Sequence, residues 1–166
     1  PNKENLRFTM IHCQTARKDQ IEKMAALKMI PSIFVGHVNY WGDVHMKNFG
    51  PVRGSRVSPA KDALDAGLVY NFHTDTPVVK PDMLHAVWTA VTRVTRSGRV
   101  IGEDQRISAY DALKGITINA AYAYFEEDSK GSIKEGKRAD LVVLDSNPLK
   151  VDPMAIKDIK VLETIK

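Results

Sequence analysis

The sequence predicts an α/β protein built on a parallel sheet. Two observations carry that expectation. Runs of strand length recur with helical patterns between them, and they are nearly all apolar rather than cleanly alternating, as strands buried on both faces are. Each run also closes abruptly on polar residues: Leu6–Cys13 reaches His12, Ile30–Val35 leads to His37, and Leu68–Phe72 delivers His73-Thr74-Asp75. A third observation marks the C-terminal part as different. From Lys130 onward the helical patterns stop and a β-rich stretch begins.

Leu6–Cys13 reads as a buried strand, and Ala16–Lys28 as a helix. Ile21, Met24 and Ala25 give that helix its apolar stripe, while Arg17, Lys18, Asp19, Glu22 and Lys23 face water. Ile30–Val35 follows as a second strand and completes a βαβ unit. Asn39–Gly54 lacks periodicity and carries Tyr40, Trp41, His45 and Phe49, so it reads as a long functional loop. Arg56–Ser58 is a very short strand, the fourth counted. Pro59–Ala66 is then a helix capped by Ser58 and stopped by Gly67. After Leu68–Phe72, Pro81 opens a helix through Leu84, Val87, Trp88, Val91 and Val94 that Gly98 ends. Ser97–Asp104 is a polar connection, and Ser108 caps a single helix over 109–125, with Asp111 near a capping-box position. A turn at 134–137, a β run at 139–144, the stop Asp145-Ser146-Asn147-Pro148 and an alternating strand at 159–165 make a small β module.

Bulk properties narrow the function. The 166 residues suit about one domain, and 43% hydrophobic with 27% charged residues is ordinary globular composition. The net charge of +4 is spread without a basic stripe, which argues against nucleic acid as a partner. No apolar run approaches the ~20 residues that cross a bilayer, so no membrane partner is expected. A single cysteine, Cys13, excludes an internal disulfide framework and fits a reducing, cytoplasmic compartment. Pro1–Glu4 has no signal-peptide character, and the final KVLETIK breaks off within a strand pattern. The chain is therefore expected to be a piece of a longer polypeptide.

His12, His37 and Asp75 are separated by 25 and 38 positions, a spacing no local motif produces. Topology can join them, because the C-terminal ends of parallel strands share one rim. Two imidazoles and a carboxylate suit Zn²⁺, and also Mn²⁺ or Fe²⁺. A metal-activated water beside Asp75 would attack a carbonyl, with Asp75 as both ligand and base. One histidine at a strand end is usually structural; three polar closures make a candidate metal site. His45, in the loop, and His85, on a helix, read as structural. Cys13 points to the face opposite His12, as a small buried residue. Tyr40-Trp41 either line a pocket or cover the core. Phosphate-loop, dinucleotide and serine-hydrolase motifs are absent.

At HTDTPV (73–78) and GSIKEGKRADLVVLDSNPL (131–149), with IHCQ and VGHVNYWGD, the chain resembles the amidohydrolase superfamily. It looks closest to the amidohydrolase-3 group of YtcJ-like and exoenzyme-regulatory-protein-like metal-dependent hydrolases. The resemblance runs from about Arg7 to Ile165 and implies the C-terminal half of a (β/α)8 TIM barrel. That half would comprise about four βα units over residues 1–128, with part of a small β-sandwich over 129–166. It further implies hydrolysis of C–N bonds in a small-molecule substrate with one or two divalent ions, first of all Zn²⁺. By the same resemblance His12 matches the histidine ligand of the family's fifth strand, His37 that of the sixth, and Asp75 the aspartate of the eighth. His73 stands where relatives often have glycine, and is expected beside the substrate. The family's first-strand HxH pair and its fourth-strand position are missing. The chain alone is therefore expected to be inactive, with a non-catalytic binding or regulatory module as the alternative. Pairing of two copies into a homo-oligomer would cover its open edges.

Overall fold

The computed structural model describes residues 5–166; the reading of Pro1–Glu4 lies outside the described residues. The fold is mixed α/β. Strands β1 (Thr9–His12), β2 (Ile30–Ile33) and β3 (Asn71–Phe72) form a parallel sheet in the order β1-β2-β3. Helices α1 (Lys18–Ala26) and α3 (Ala60–Asp65) belong to the crossovers, together with α2 (His37–Gly54). The expected strand at Arg56–Ser58 does not form, so the described sheet has three strands rather than four. Val57 is fully buried, but against Val38 and Ile101 rather than in a ladder. Ser58 does not cap α3 either. Its φ is +56° and its hydroxyl donates to the Phe34 carbonyl instead.

β2 is buried along its whole length. β1, expected to be buried, is not: it pairs only with β2, and Phe8, Met10 and Ile11 are exposed. An apolar strand at a sheet edge lacks the neighbour its composition suits. The larger correction concerns Asn39–Gly54, which is helix. α2 runs on to Gly54 with a break at Gly50 (φ +73°, ψ 170°) just before Pro51. His37, Trp41, His45 and Phe49 recur every fourth residue along it, with ring centroids 5.7 Å apart for His37–Trp41 and 5.4 Å for His45–Phe49.

α4 (Met83–Thr92) is capped by Asp82, whose carboxylate accepts from the His85 N–H, and ends at Arg93 in the left-handed conformation, not at Gly98. The expected single helix over 109–125 is two, α5 (Ala109–Ile116) and α6 (Ile118–Ala123), broken at Thr117 (φ −125°, ψ −98°). α5 lies on β3 with Gly115 against Phe72: an added Cβ would sit 3.0 Å from that ring. The Tyr70 hydroxyl donates to the Asp111 carbonyl, and Asn119 donates to the Tyr70 carbonyl. β4 (Leu141–Leu144) and β5 (Val161–Ile165) pair antiparallel, as expected of the β module. Between them a 3-10 turn, Pro153–Asp158, packs on α4 and buries Ile156 in the main core.

Candidate metal centre

The parallel order of β1, β2 and β3 puts their C-terminal ends side by side, and there the polar residues meet. His12 ends β1 with φ +64°, and Asp75, three residues beyond β3, has φ +55°. Both values lie in the left-handed region, which side-chain-bearing residues enter at a cost and which clusters at functional sites. The His12 Nε2 and Asp75 Oδ2 atoms are 3.2 Å apart, and both side chains are open to solvent. His73 completes the group: one ligand atom each from His12, His73 and Asp75 lie within 4.8 Å of one another.

His37 stands beside this set. It occupies the first turn of α2, and its ring stacks on His12 with centroids 5.8 Å apart at 28°. Burial pushes the His37 imidazole down to about 4, the nearby His45, His12 and His73 add to that, and Asp75 opposes it. His73 is lowered too, by burial first and then by His12, again against Asp75. Both imidazoles are therefore neutral near pH 7 and able to offer a lone pair. His37 Nδ1 and His73 Nε2 are buried without a hydrogen-bond partner. Such orphans are uncommon in folded proteins and ask for a missing partner.

Two imidazoles and a carboxylate also have the chemistry a borderline divalent cation prefers. Ligand atoms about 2.0–2.2 Å from one ion must lie within roughly 4 Å of each other. The set needs only a small contraction to meet that, so these residues fit a divalent metal.

Sequence reasoning brought His12, His37 and Asp75 to one rim and expected His73 beside the substrate, whereas the close group consists of His12, His73 and Asp75 with His37 stacked next to it. That reasoning also left His45 out. His45 Nε2 lies 2.8 Å from the Gln14 amide nitrogen, two residues past His12, and its ring is 6.0 Å from His37. The four-residue spacing from His37 was the signal available. His85 stays with the structural reading, packed on Trp88 and Tyr40. Trp41 meets Phe34 edge-on at 5.9 Å and so walls the rim. Cys13 is buried in the core, and burial pushes its thiol up to about 11.

An α/β fold with histidines and an aspartate converging at strand ends agrees with what comparison with known proteins gives: the chain belongs to the amidohydrolase family, which it matches over residues 2–166. The N-substituted formamide deformylase of Arthrobacter pascens is 32% identical over 158 residues, covering 92% of this chain and 28% of the relative. The Bacillus subtilis protein YtcJ is 27% identical over 172 residues, covering 99% of this chain and 32% of its own length. Among solved structures, an uncharacterized metal-dependent hydrolase of Pyrococcus horikoshii matches with a TM-score of 0.73 and 26% identity, over 87% of this chain and 30% of that one. The chain thus spans about a third or less of these relatives. Among the described residues, no helix is long and apolar enough to cross a membrane.

Proposed function

We propose that this chain is the C-terminal share of a cytoplasmic, metal-dependent hydrolase that cleaves C–N bonds in a small-molecule substrate. Residues 1–128 would be half of a (β/α)8 barrel and residues 129–166 part of a β-sandwich. His12, His37 and Asp75 face one or two divalent ions, with Zn²⁺ the first choice, and His73 stands next to them. One observation carries the reading: His12 at the end of β1 and Asp75 after β3 meet across the end of β2 on one rim of a parallel sheet, beside buried imidazole nitrogens that lack partners. The deformylase relative, named for a C–N cleavage, supports the bond class.

When bound, the ion lowers the pKa of its water towards neutrality and polarises the scissile carbonyl. The chain does the rest. Asp75 Oδ2 is the proton acceptor, steered by the His12 ring at 3.2 Å. His37 and His73 are kept neutral by burial, so each keeps one ring nitrogen with a free lone pair. Trp41 and Phe34 shield one side of the rim from water.

The test is a chimera in which this chain replaces the matching C-terminal part of the Arthrobacter pascens deformylase, assayed with an N-substituted formamide and Zn²⁺. Turnover should fall by about 100-fold or more in Asp75→Asn, through loss of the proton acceptor, and in His12→Ala and His37→Ala, through loss of a ligand nitrogen. A folded, active chimera indifferent to all three substitutions refutes the assignment.

A further inference from the structure

We propose that His73 is itself a ligand of the metal centre, held in its metal-ready tautomer by Ser32; this rests on the metal-dependent reading above. His73 offers a potential ligand atom within 4.8 Å of those of His12 and Asp75. Its ring stands edge-on to His12 with centroids 5.1 Å apart at 81°. The two ring nitrogens have unlike surroundings. Nδ1 lies 3.1 Å from the Ser32 hydroxyl, whereas Nε2 is buried with no partner.

Ser32 is the unusual residue of β2. It is a buried hydroxyl in an otherwise apolar strand, IPSI, and His73 is the side-chain partner the structure gives it. The sheet register explains how they meet. Ser32 pairs with Asn71, and His73, two residues further along the same face, has its N–H bonded to the Ile33 carbonyl. With Nδ1–H donating to Ser32 Oγ, the Nε2 lone pair is left free. A cation satisfies that lone pair, and the arrangement is the one by which metal-binding histidines are commonly oriented through their second nitrogen. The opposite tautomer would bury an Nε2–H with no acceptor, at about 1–3 kcal/mol. A histidine that merely contacted substrate would not need its nitrogen sealed from solvent.

The experiment is titration of the purified protein with Co²⁺, followed by visible absorption, for the wild type, His73→Gln and Ser32→Ala, with far-ultraviolet circular dichroism as the fold check. The wild type should develop a ligand-field band. Ser32→Ala should weaken Co²⁺ binding by about 10–100-fold, the usual effect of removing an orienting partner, and His73→Gln by more than that with an altered band. Wild-type affinity and an unchanged band in either folded variant overturns the proposal and leaves the metal centre standing. Should His73→Gln not fold, Ser32→Ala alone decides on the same criterion. A folded wild type that gives no band with excess Co²⁺ refutes the metal-dependent reading, and this proposal with it.

Discussion

Arg93→Met should be among the most damaging single substitutions in this chain. Arg93 is fully buried at the left-handed end of α4, and its guanidinium has no carboxylate partner among the described residues. It donates instead to backbone carbonyls: Ile101 at 2.9 Å, Ser58 at 3.1 Å, Ser55 at 3.2 Å and Val57 at 2.7 Å. Burial pushes it down to about 10, which still leaves the charge in place at neutral pH. Methionine keeps much of the stem but strands these carbonyls, at about 1–3 kcal/mol for each buried one. Relief of the buried charge returns several kcal/mol. The net loss is about 3–5 kcal/mol, a large part of the roughly 5–15 kcal/mol a domain has. With an m-value of about 2 kcal/mol/M, the urea midpoint should drop by roughly 1.5–2.5 M, m itself unchanged. Arg93→Lys should fall between, since an ammonium cannot reproduce the planar fork. A midpoint within about 0.5 M of wild type would refute the reasoning, because the carbonyls would then have found other partners. The clamp also matters to the rim. The segment it holds bonds to the Gln14 carbonyl through the Ser58 N–H and to the Phe34 carbonyl through the Ser58 hydroxyl.

Other expectations follow from the same physics. Gly102 (φ +59°) lies against this clamp, and a Cβ there would stand 1.8 Å from the Ser55 carbonyl oxygen. Gly102→Ala should therefore cost more than about 3 kcal/mol, measured by urea unfolding, and a loss under 1 kcal/mol would contradict the packing. Arg7 lies between the Tyr122 and Phe125 rings at 3.6 and 4.0 Å, donates to the Tyr122 carbonyl, and grips Glu127 through both terminal nitrogens. That grip lowers the Glu127 pKa in the folded state. Its contribution is present above the unfolded carboxyl value near 4.3 and lost as pH falls through the lower folded one. Between pH 6 and 3, wild type should lose about 1 kcal/mol more than Glu127→Gln; parallel curves would dismiss the pair.

Much of this architecture was legible because it is local. The Ile30–Ile33 strand announces itself by a run apolar but for Ser32, and the helix over 18–26 by its Ile21 and Met24 stripe. The rim was legible through topology: polar closures of parallel strands have to meet. What was hidden depends on tertiary partners. Gly50 and Pro51 masked α2, whose fourfold aromatic spacing was the counter-signal. Thr117 breaks the 109–125 helix where its Thr117 carbonyl and Ile118 crowd Gly131, a contact across fourteen residues of sequence. Val57 looked like strand because it is buried, yet it is buried by Val38 and Ile101. Ser32 was invisible as a determinant of His73, since only the register brings them together.

The central claim is that this rim holds a divalent cation, and thermal melting with Zn²⁺ against melting with a chelator tests it most directly. An ion at 100 times its Kd should stabilise the fold by about 2.7 kcal/mol. That corresponds to a rise of roughly 5–10 °C in Tm for a chain of this size. The rise should vanish in a His12→Ala, Asp75→Ala double variant. Superimposable curves for the wild type with Zn²⁺ and with chelator would contradict the account.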